Sequence, residues 1–430
     1  MLLLASGFLV LMMAPTWAAT SADKQAAIDS GLAYLASTQQ ADGSWSYGGY
    51  EPAATAAVLL SFVDQSYKPL GWNGADYSAV VTKATNYLLT DAQTLPFAAA
   101  GNWWGFGAAS SGIQMAAASS ENTYTTGLTI PALSRLVSNP YGGAPLVSPS
   151  TVISSTNAVV NGMTYTQVIQ KMVDSFTYYQ SGPTTGNRYG GWRYYAGEND
   201  SDMSTTQWGP ISYLFAAQVP GVTIPNGTVK SALQAYLTAS QYTNVTWPGN
   251  AGAVDYQPAS YYIINNTHIG GFLVSNYFAG GGGSVANALA WLNTHWKDSA
   301  SGTWYGNEGN PYAMWAVYKG LETLFGTTGA GPITNLNPQG SNLIDPSATW
   351  NWWEDYCQYL VDTQNHGGLT DGSWSGYDYW TGPLATAWDI NILNATATVQ
   401  PPTGTPEPAT MLLLGLGLAG LAGFRRKFKE

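Results

Sequence analysis

The feature that most constrains this chain is a string near its start: Gly31-Leu32-Ala33-Tyr34-Leu35, then Gln39, then Asp42-Gly43-Ser44-Trp45, followed at once by an apolar run over 53–63. Ile28, Leu32 and Leu35 share one face of a helix, and the Gly-x-Trp reads as a tight turn landing on a buried aromatic. The run over 53–63 is apolar on every side, as a helix enclosed all round must be. Such a pair cannot bury its own apolar faces alone, so it is expected to stack against copies of itself.

Copies occur. Tyr87-Leu88, Gln93 and Gly101-Asn102-Trp103 make a second unit, and Phe176, Gln180 and Gly190-Gly191-Trp192 a third. Tyr236-Leu237, Gln241 and Trp247 make a fourth that lacks the Gly. Trp291-Leu292, Trp296 in the Gln place and Gly302-Thr303-Trp304 make a fifth; Tyr359-Leu360, Gln364 and Gly372-Ser373-Trp374 close the series. The spacing is uneven while the order of parts is constant, which marks a degenerate array with inserted loops. Amphipathic outer helices are expected over 27–40, 78–90, 167–179, 229–240, 285–295 and 352–363. Their apolar partners fall over 53–63, 125–137, 205–217, 261–278, 313–325 and 384–393. The predicted fold is all-α: an α/α toroid of six helix pairs, inner and outer ring, across 19–398, with a small irregular or β-hairpin insertion near 139–163. An open solenoid is the alternative. Closure is favoured because the first and last units are the most alike and neither carries a polar capping repeat.

The two ends read as targeting segments. Residues 1–18 are apolar and end in Thr16-Trp17-Ala18, as a secretory signal peptide does. A linker over 399–405 leads to Pro406-Glu407-Pro408, an apolar run over 409–424 and Arg425-Arg426-Lys427. That run, a short transmembrane segment, falls below the ~20 residues a stable bilayer span requires. The order of parts over 406–430 resembles the PEP-CTERM sorting signal of exported bacterial proteins. The resemblance implies transient insertion in the inner membrane, recognition through Pro406, Glu407 and Pro408, and removal of the tail by an exosortase-type membrane protease. It also implies a final place in the cell envelope, at the surface or outside the cell, in a bacterium that makes exopolysaccharide. A formal charge of −11 argues against nucleic acid as a partner. The single Cys357 excludes an internal disulfide.

The string from Gly31 to Trp45 also resembles the QW motif of triterpene cyclases, and the whole array is similar to the prenyltransferase/squalene-oxidase repeat family. That resemblance implies the toroid more than any activity, because the same fold serves cyclases, protein prenyltransferases, thioester domains and exported proteins. It implies that Trp45, Trp192 and Trp374 are packing residues tying one helix end to the next turn. Class II cyclases place an acidic D-x-D-D-T motif after a G-G-W element. Here Asp200 and Asp202 match its first two acidic positions, and Met203 stands in the third. On their own, Asp200, Asp202, Ser204 and Thr205 read as N-caps of the following helix. A prenyltransferase would need zinc held by Asp, Cys and His. Asp355-Tyr356-Cys357 has the spacing, but Cys357 sits among core residues of an amphipathic helix, so no metal and no cofactor is expected. A thioester would need Gln where Leu360 stands.

Acidic residues recur ahead of the inner helices, interleaved with tyrosines and tryptophans. Glu198, Asp200, Asp202, Glu308 and Asp378 are therefore the candidate catalytic residues, as paired carboxylates of a glycosidase or lyase would be. Trp192, Tyr194, Tyr305 and Trp380 are the candidate ligand contacts, since aromatic faces stack on sugar rings. The reading that heads the list is a non-catalytic structural or ligand-binding envelope protein, with polysaccharide as a candidate partner. A carbohydrate-active enzyme and a cyclase-like enzyme with a degenerate acid motif are the alternatives.

Overall fold

The structure is a computed structural model that describes residues 19–98, 105, 110–117, 121–183, 188–198, 200–225, 227–242, 251–258, 265–299, 306–336 and 350–399. By its contacts the chain divides into Met1–Val399 and Gln400–Glu430, and the described residues all belong to the first. The expected signal peptide, the Pro406-Glu407-Pro408 motif and the apolar run over 409–424 lie outside the described residues. Among those described, no helix is long and apolar enough to cross a membrane.

Mostly helical, the chain alternates helices of two kinds. The amphipathic ones are α1 (Ser21–Ser37), α3 (Ser78–Asp91), α5 (Tyr165–Tyr179), α8 (Thr228–Ser240), α10 (Val285–Thr294) and α12 (Trp352–Thr363). Each is followed by an enclosed partner: α2 (Glu51–Ser66), α4 (Asn122–Val137), α6 with α7 (Met203–Thr206, Trp208–Ala216), α9 (Asn266–Ala279), α11 (Pro311–Phe325) and α13 (Gly382–Leu393). Starts are set by side-chain caps. Thr20 with Asp23 and Thr164 with Gln167 form reciprocal capping boxes, and Asn351 accepts from two amides of α12. In α2 every residue from Pro52 to Gln65 is buried, whereas α8 buries only one face. The enclosed helices pack in chain order, α2 on α4, α4 on α7, α7 on α9, α9 on α11 and α11 on α13, and α13 returns to pack on α2. At the α9 and α11 crossing a Cβ on Gly270 would collide with the Ala316 backbone, so these two helices meet almost backbone to backbone.

The conserved order of parts in the sequence corresponds to one hydrogen-bonding device. Gln39 Nε2 donates to the Gly43 and Val80 carbonyls, both at 3.0 Å. Gln180 donates to Gly190 at 2.7 Å and Val229 at 3.0 Å, and Gln241 to Gly252 at 3.4 Å and Ser284 at 2.8 Å. Gln364 donates to Gly372 at 2.9 Å and to Ala27 at 2.8 Å. In every case one N–H holds the unit's own turn and the other reaches a neighbouring amphipathic helix or its cap. For Gln364 that neighbour is α1, at the other end of the domain. The turn glycines have positive φ, and a Cβ at Gly190 or Gly372 would strike the carbonyl of Ala232 or Ser30. Trp45, Trp192 and Trp374 are buried and donate their indole N–H to Leu35, Phe176 and Leu360.

Several sequence expectations need correcting. In the fourth unit Trp247 lies outside the described residues, and the turn is made by Gly252, with Val254 in the aromatic's place. Gln93 does not close a helix. It lies on β1 (Ala92–Pro96), which pairs antiparallel with β2 (Ser111–Met115), and Leu95 and Ile113 bury there beside α5. Trp103 and Trp304 are outside the described residues. Trp296 does not act as a Gln: its indole donates to Asp355 at 2.7 Å, and Asn307 reaches back to its carbonyl at 2.8 Å. The insertion near 139–163 holds one isolated antiparallel bridge, Val152 with Thr164, and no regular strand. The helix expected over 205–217 divides at Gln207, because Pro210 has no N–H for the Thr206 carbonyl and its ring crowds that group. Pro131 leaves α4 unbroken, and the Gly127 carbonyl it frees accepts from Ser212 at 3.2 Å.

A buried ionic cluster closes the C-terminal ends of the enclosed helices. Arg135 of α4 pairs with Asp64 of α2 at 3.1 Å, both side chains wholly buried. The segment 394–398 lies across them. Asn394 and Thr396 donate to Asp64, each at 3.0 Å, and Lys319 donates to the Thr396 carbonyl at 2.7 Å. Arg135 donates to the Ala397 carbonyl, and Glu322 accepts from Thr398 N at 2.9 Å. Arg135, in the last turn of α4, also meets the negative end of that helix's dipole.

Two outcomes follow. Gln364→Ala leaves the buried Gly372 carbonyl without its donor and cuts the tie to Ala27 of α1, and it is expected to cost about 1–3 kcal/mol in urea unfolding, more than Gln39→Ala at its half-buried site. Arg135→Met strands a buried carboxylate and is expected to cost about 3–5 kcal/mol, with part of the loss restored in the Asp64→Asn, Arg135→Met double variant.

Candidate functional site

The N-terminal ends of α4, α6, α11 and α13 meet in one cluster of aromatic rings and acids. Asp202 is the N-cap of α6: Oδ1 accepts from Thr205 N and from Ser204 Oγ, both at 2.7 Å. Its Oδ2 accepts from Thr205 Oγ1 at 2.9 Å and from the Arg193 guanidinium. Arg193 also donates to Tyr256 OH at 2.7 Å and lies 4.1 Å over the Tyr194 ring, and the two phenols share a hydrogen bond of 2.7 Å. Asp200 accepts from Arg188 at 3.0 Å, from the Ser201 amide at 2.9 Å and from Gln257 at 2.9 Å. Glu198 Oε2 accepts from the amides of Tyr194 at 2.8 Å and Tyr195 at 3.3 Å. Partial burial raises its carboxyl pKa, against the opposing pull of those two N–H groups.

On the far side the rings of Trp380, Tyr312 and Trp388 form a pile. Trp380 and Tyr312 stack at 4.1 Å and 24°, and Tyr312 and Trp388 at 5.5 Å. Tyr312 is fixed from behind, donating to the Ser204 carbonyl at 2.7 Å while Gln207 donates to it at 3.0 Å. Tyr124 joins the two halves: its ring is 6.2 Å from Trp380 and 6.1 Å from Tyr194, and its hydroxyl lies 3.1 Å from Ser204 Oγ. Burial raises the pKa of the Tyr124, Tyr256 and Tyr312 phenols, so all three stay protonated across the ordinary pH range. Trp380 is half-buried and presents its outer side to solvent.

Of the residues singled out by sequence, Glu198, Asp200, Asp202, Tyr194 and Trp380 are brought together here. Trp192 is fully buried, its indole N–H donating to the Phe176 carbonyl at 2.7 Å. Asp378 is exposed at the tip of the turn closed by Tyr377 and Trp380, with φ of 53°. Glu308 stands just before α11, bridged to Ser299, and Tyr305 lies outside the described residues. Cys357 is a free, buried thiol whose pKa is pushed up by its surroundings. Among the described residues no group of three or more His, Cys, Asp and Glu could hold a metal ion.

Sequence reasoning missed Asp389. It lies within the otherwise enclosed helix α13 and lines a cavity of about 140 Å³ between α11, α12 and the turn at Trp374. The side chain is 3% exposed, and its Oδ1 has no hydrogen-bond donor. A visible signal was there: one ionisable residue inside a run apolar all round.

Residues 405–427 match the PEP-CTERM protein-sorting motif, which marks the chain for export to the cell envelope or surface and for processing by an exosortase, a membrane protein. No curated protein matches the sequence. A solved structure described as the crystal structure of a protein from Actinoplanes is similar at 14% identity over 86% of this chain and 98% of that one, with a TM-score of 0.35. That degree of likeness supports no argument about fold or activity.

Burial without a partner raises the Asp389 pKa well above the usual carboxylate range. The unfolded chain therefore ionises at this position first, so the group costs stability as pH rises above about 3.9, and the cost vanishes below it. Tyr359 and Glu308 are the other titratable groups near the cavity. Asp389→Asn is expected to raise the unfolding temperature at about pH 7 and to leave it unchanged near pH 3, measured by scanning calorimetry at both.

Proposed function

We propose that the six helix pairs close into a single α/α ring, and that this ring is a non-catalytic, surface-displayed domain that binds a polysaccharide. Two features support closure: the Gln364 amide reaches Ala27 at the start of the array, and α13 packs on α2. The observation that carries the binding reading is the state of the three clustered acids. Asp202, Asp200 and Glu198 have their oxygens taken up by backbone amides, hydroxyls and arginines, as caps and turn locks do. The two oxygens of Asp202 already accept from an amide, two hydroxyls and a guanidinium, which counts against a cyclase-type acid. The same engagement counts against a pair of hydrolytic carboxylates.

What remains available to a ligand is aromatic. Trp380 is held flat by Tyr312 behind it, with the Tyr124 ring 6.2 Å away, and a rigid ring platform edged by a phenol suits a sugar's C–H face and hydroxyls. The sorting motif marks the protein for the cell envelope or surface, where an exopolysaccharide would be within its reach. Isothermal titration of exopolysaccharide from the producing bacterium is expected to give heat with the wild-type protein and at least a tenfold weaker association with Trp380→Ala, whose circular dichroism stays unchanged. Equal binding by Trp380→Ala, or release of reducing sugar from the polymer by the wild type, would overturn the reading.

A further inference from the structure

The cavity beside Asp389 lies apart from the Trp380 platform in its chemistry. Its carboxyl is buried on α13 with Oδ1 facing no donor, a situation native interiors rarely tolerate without a reason. Two of the donors that line the cavity are engaged elsewhere: Trp374 Nε1 goes to the Leu360 carbonyl and the Thr363 hydroxyl to the Tyr359 carbonyl, both at 2.7 Å. No basic side chain is among the described lining residues. Glu308 adjoins the cavity at Gly309, and its charge, like that of Asp389, acts on the Tyr359 phenol. The lining thus offers an aromatic face and a carboxyl that gains negative charge on ionising, and it supplies neither a donor to Asp389 Oδ1 nor a cation.

A ligand that supplies both would complete it. We infer that this cavity binds a small organic ammonium ion, a protonated primary amine whose N–H groups donate to Asp389 and whose charge rests against Tyr359. Three donors on one positive centre match an uncompensated acceptor beside a ring face. An anion would meet two carboxyls. A divalent metal would find only one buried carboxylate, far short of the six or more oxygens such ions take. In size the cavity is close to one of ~150 Å³ that holds benzene, so it suits a group of about six heavy atoms. The inference does not rest on the polysaccharide reading, since it uses neither Trp380 nor the Asp202 cluster.

The test is calorimetric titration of the full chain, in mild detergent, with n-butylammonium and with n-butanol, which has the same size and no charge. Wild-type protein is expected to bind the ammonium at least tenfold more tightly than the alcohol. Asp389→Asn, which keeps the shape of the side chain, is expected to lose at least tenfold in ammonium affinity while its thermal unfolding shows a folded domain. Equal affinity for the alcohol, undiminished ammonium binding by Asp389→Asn, or no ammonium binding by the folded wild type would each overturn the inference. Tyr359→Leu serves as a second variant: it leaves the carboxyl in place, so a weaker ammonium response there supports the aromatic contact and an unchanged one overturns it.

Discussion

Four of the six helix pairs are tied by one interaction, a primary amide that donates twice. A glutamine side chain has two N–H groups on one nitrogen, so a single residue can hold the carbonyl of its own turn and a carbonyl of a neighbouring helix. A glutamate in that place would set two acceptors against two more, and a methionine would leave the turn's carbonyl without that donor. The glycine in each turn is the other half of the device. Its positive φ and missing Cβ let the turn's carbonyl come close enough to be held, as at Gly190 against Ala232. A helix pair is therefore completed by its neighbour, which is why no unit would be expected to fold alone.

The two ends of the enclosed helices carry opposite chemistry for one reason. Free N–H groups at the N-terminal ends call for acceptors, and Asp202, Asn265 and Asn310 supply them as caps. At the opposite ends free carbonyls and the negative dipole end favour a cation, and Arg135 lies in the last turn of α4, buried with Asp64. The segment 394–398 seals that end, so the chain leaves the described domain from beneath a layer of buried charge. The N-terminal ends stay more open and gather the rings, which is where ligand contact is proposed.

Asp202 illustrates how a residue type underdetermines a role. In sequence the same Asp suits a proton donor or a cap, and the choice depends on what surrounds it in space. Arg193 lies nine residues upstream of it in sequence, but it meets Asp202 only because the turn after Trp192 doubles back, pairing Trp192 with Asp202. In the structure Asp202 caps α6 and accepts from that guanidinium. Asp389 is the reverse case: its surroundings withhold every donor, and a residue that looks like an intrusion in an apolar helix becomes the polar centre of a cavity.

Periodicity in the sequence was enough to place the helices, because an enclosed helix and a one-faced helix differ in composition along their own length. The Gln, Gly and Trp positions were equally legible in the first, third and sixth units, since the device is local and uses residues a few positions apart. The sequence also carried the sorting motif whole. Tertiary structure alone decided the rest: that Gly252 and Val254 serve the fourth unit, that Gln93 enters a strand, that Gln364 reaches Ala27, and that Asp389 faces a space with no donor. Each of these depends on groups far apart in the chain, and distance in space is what a linear pattern does not contain.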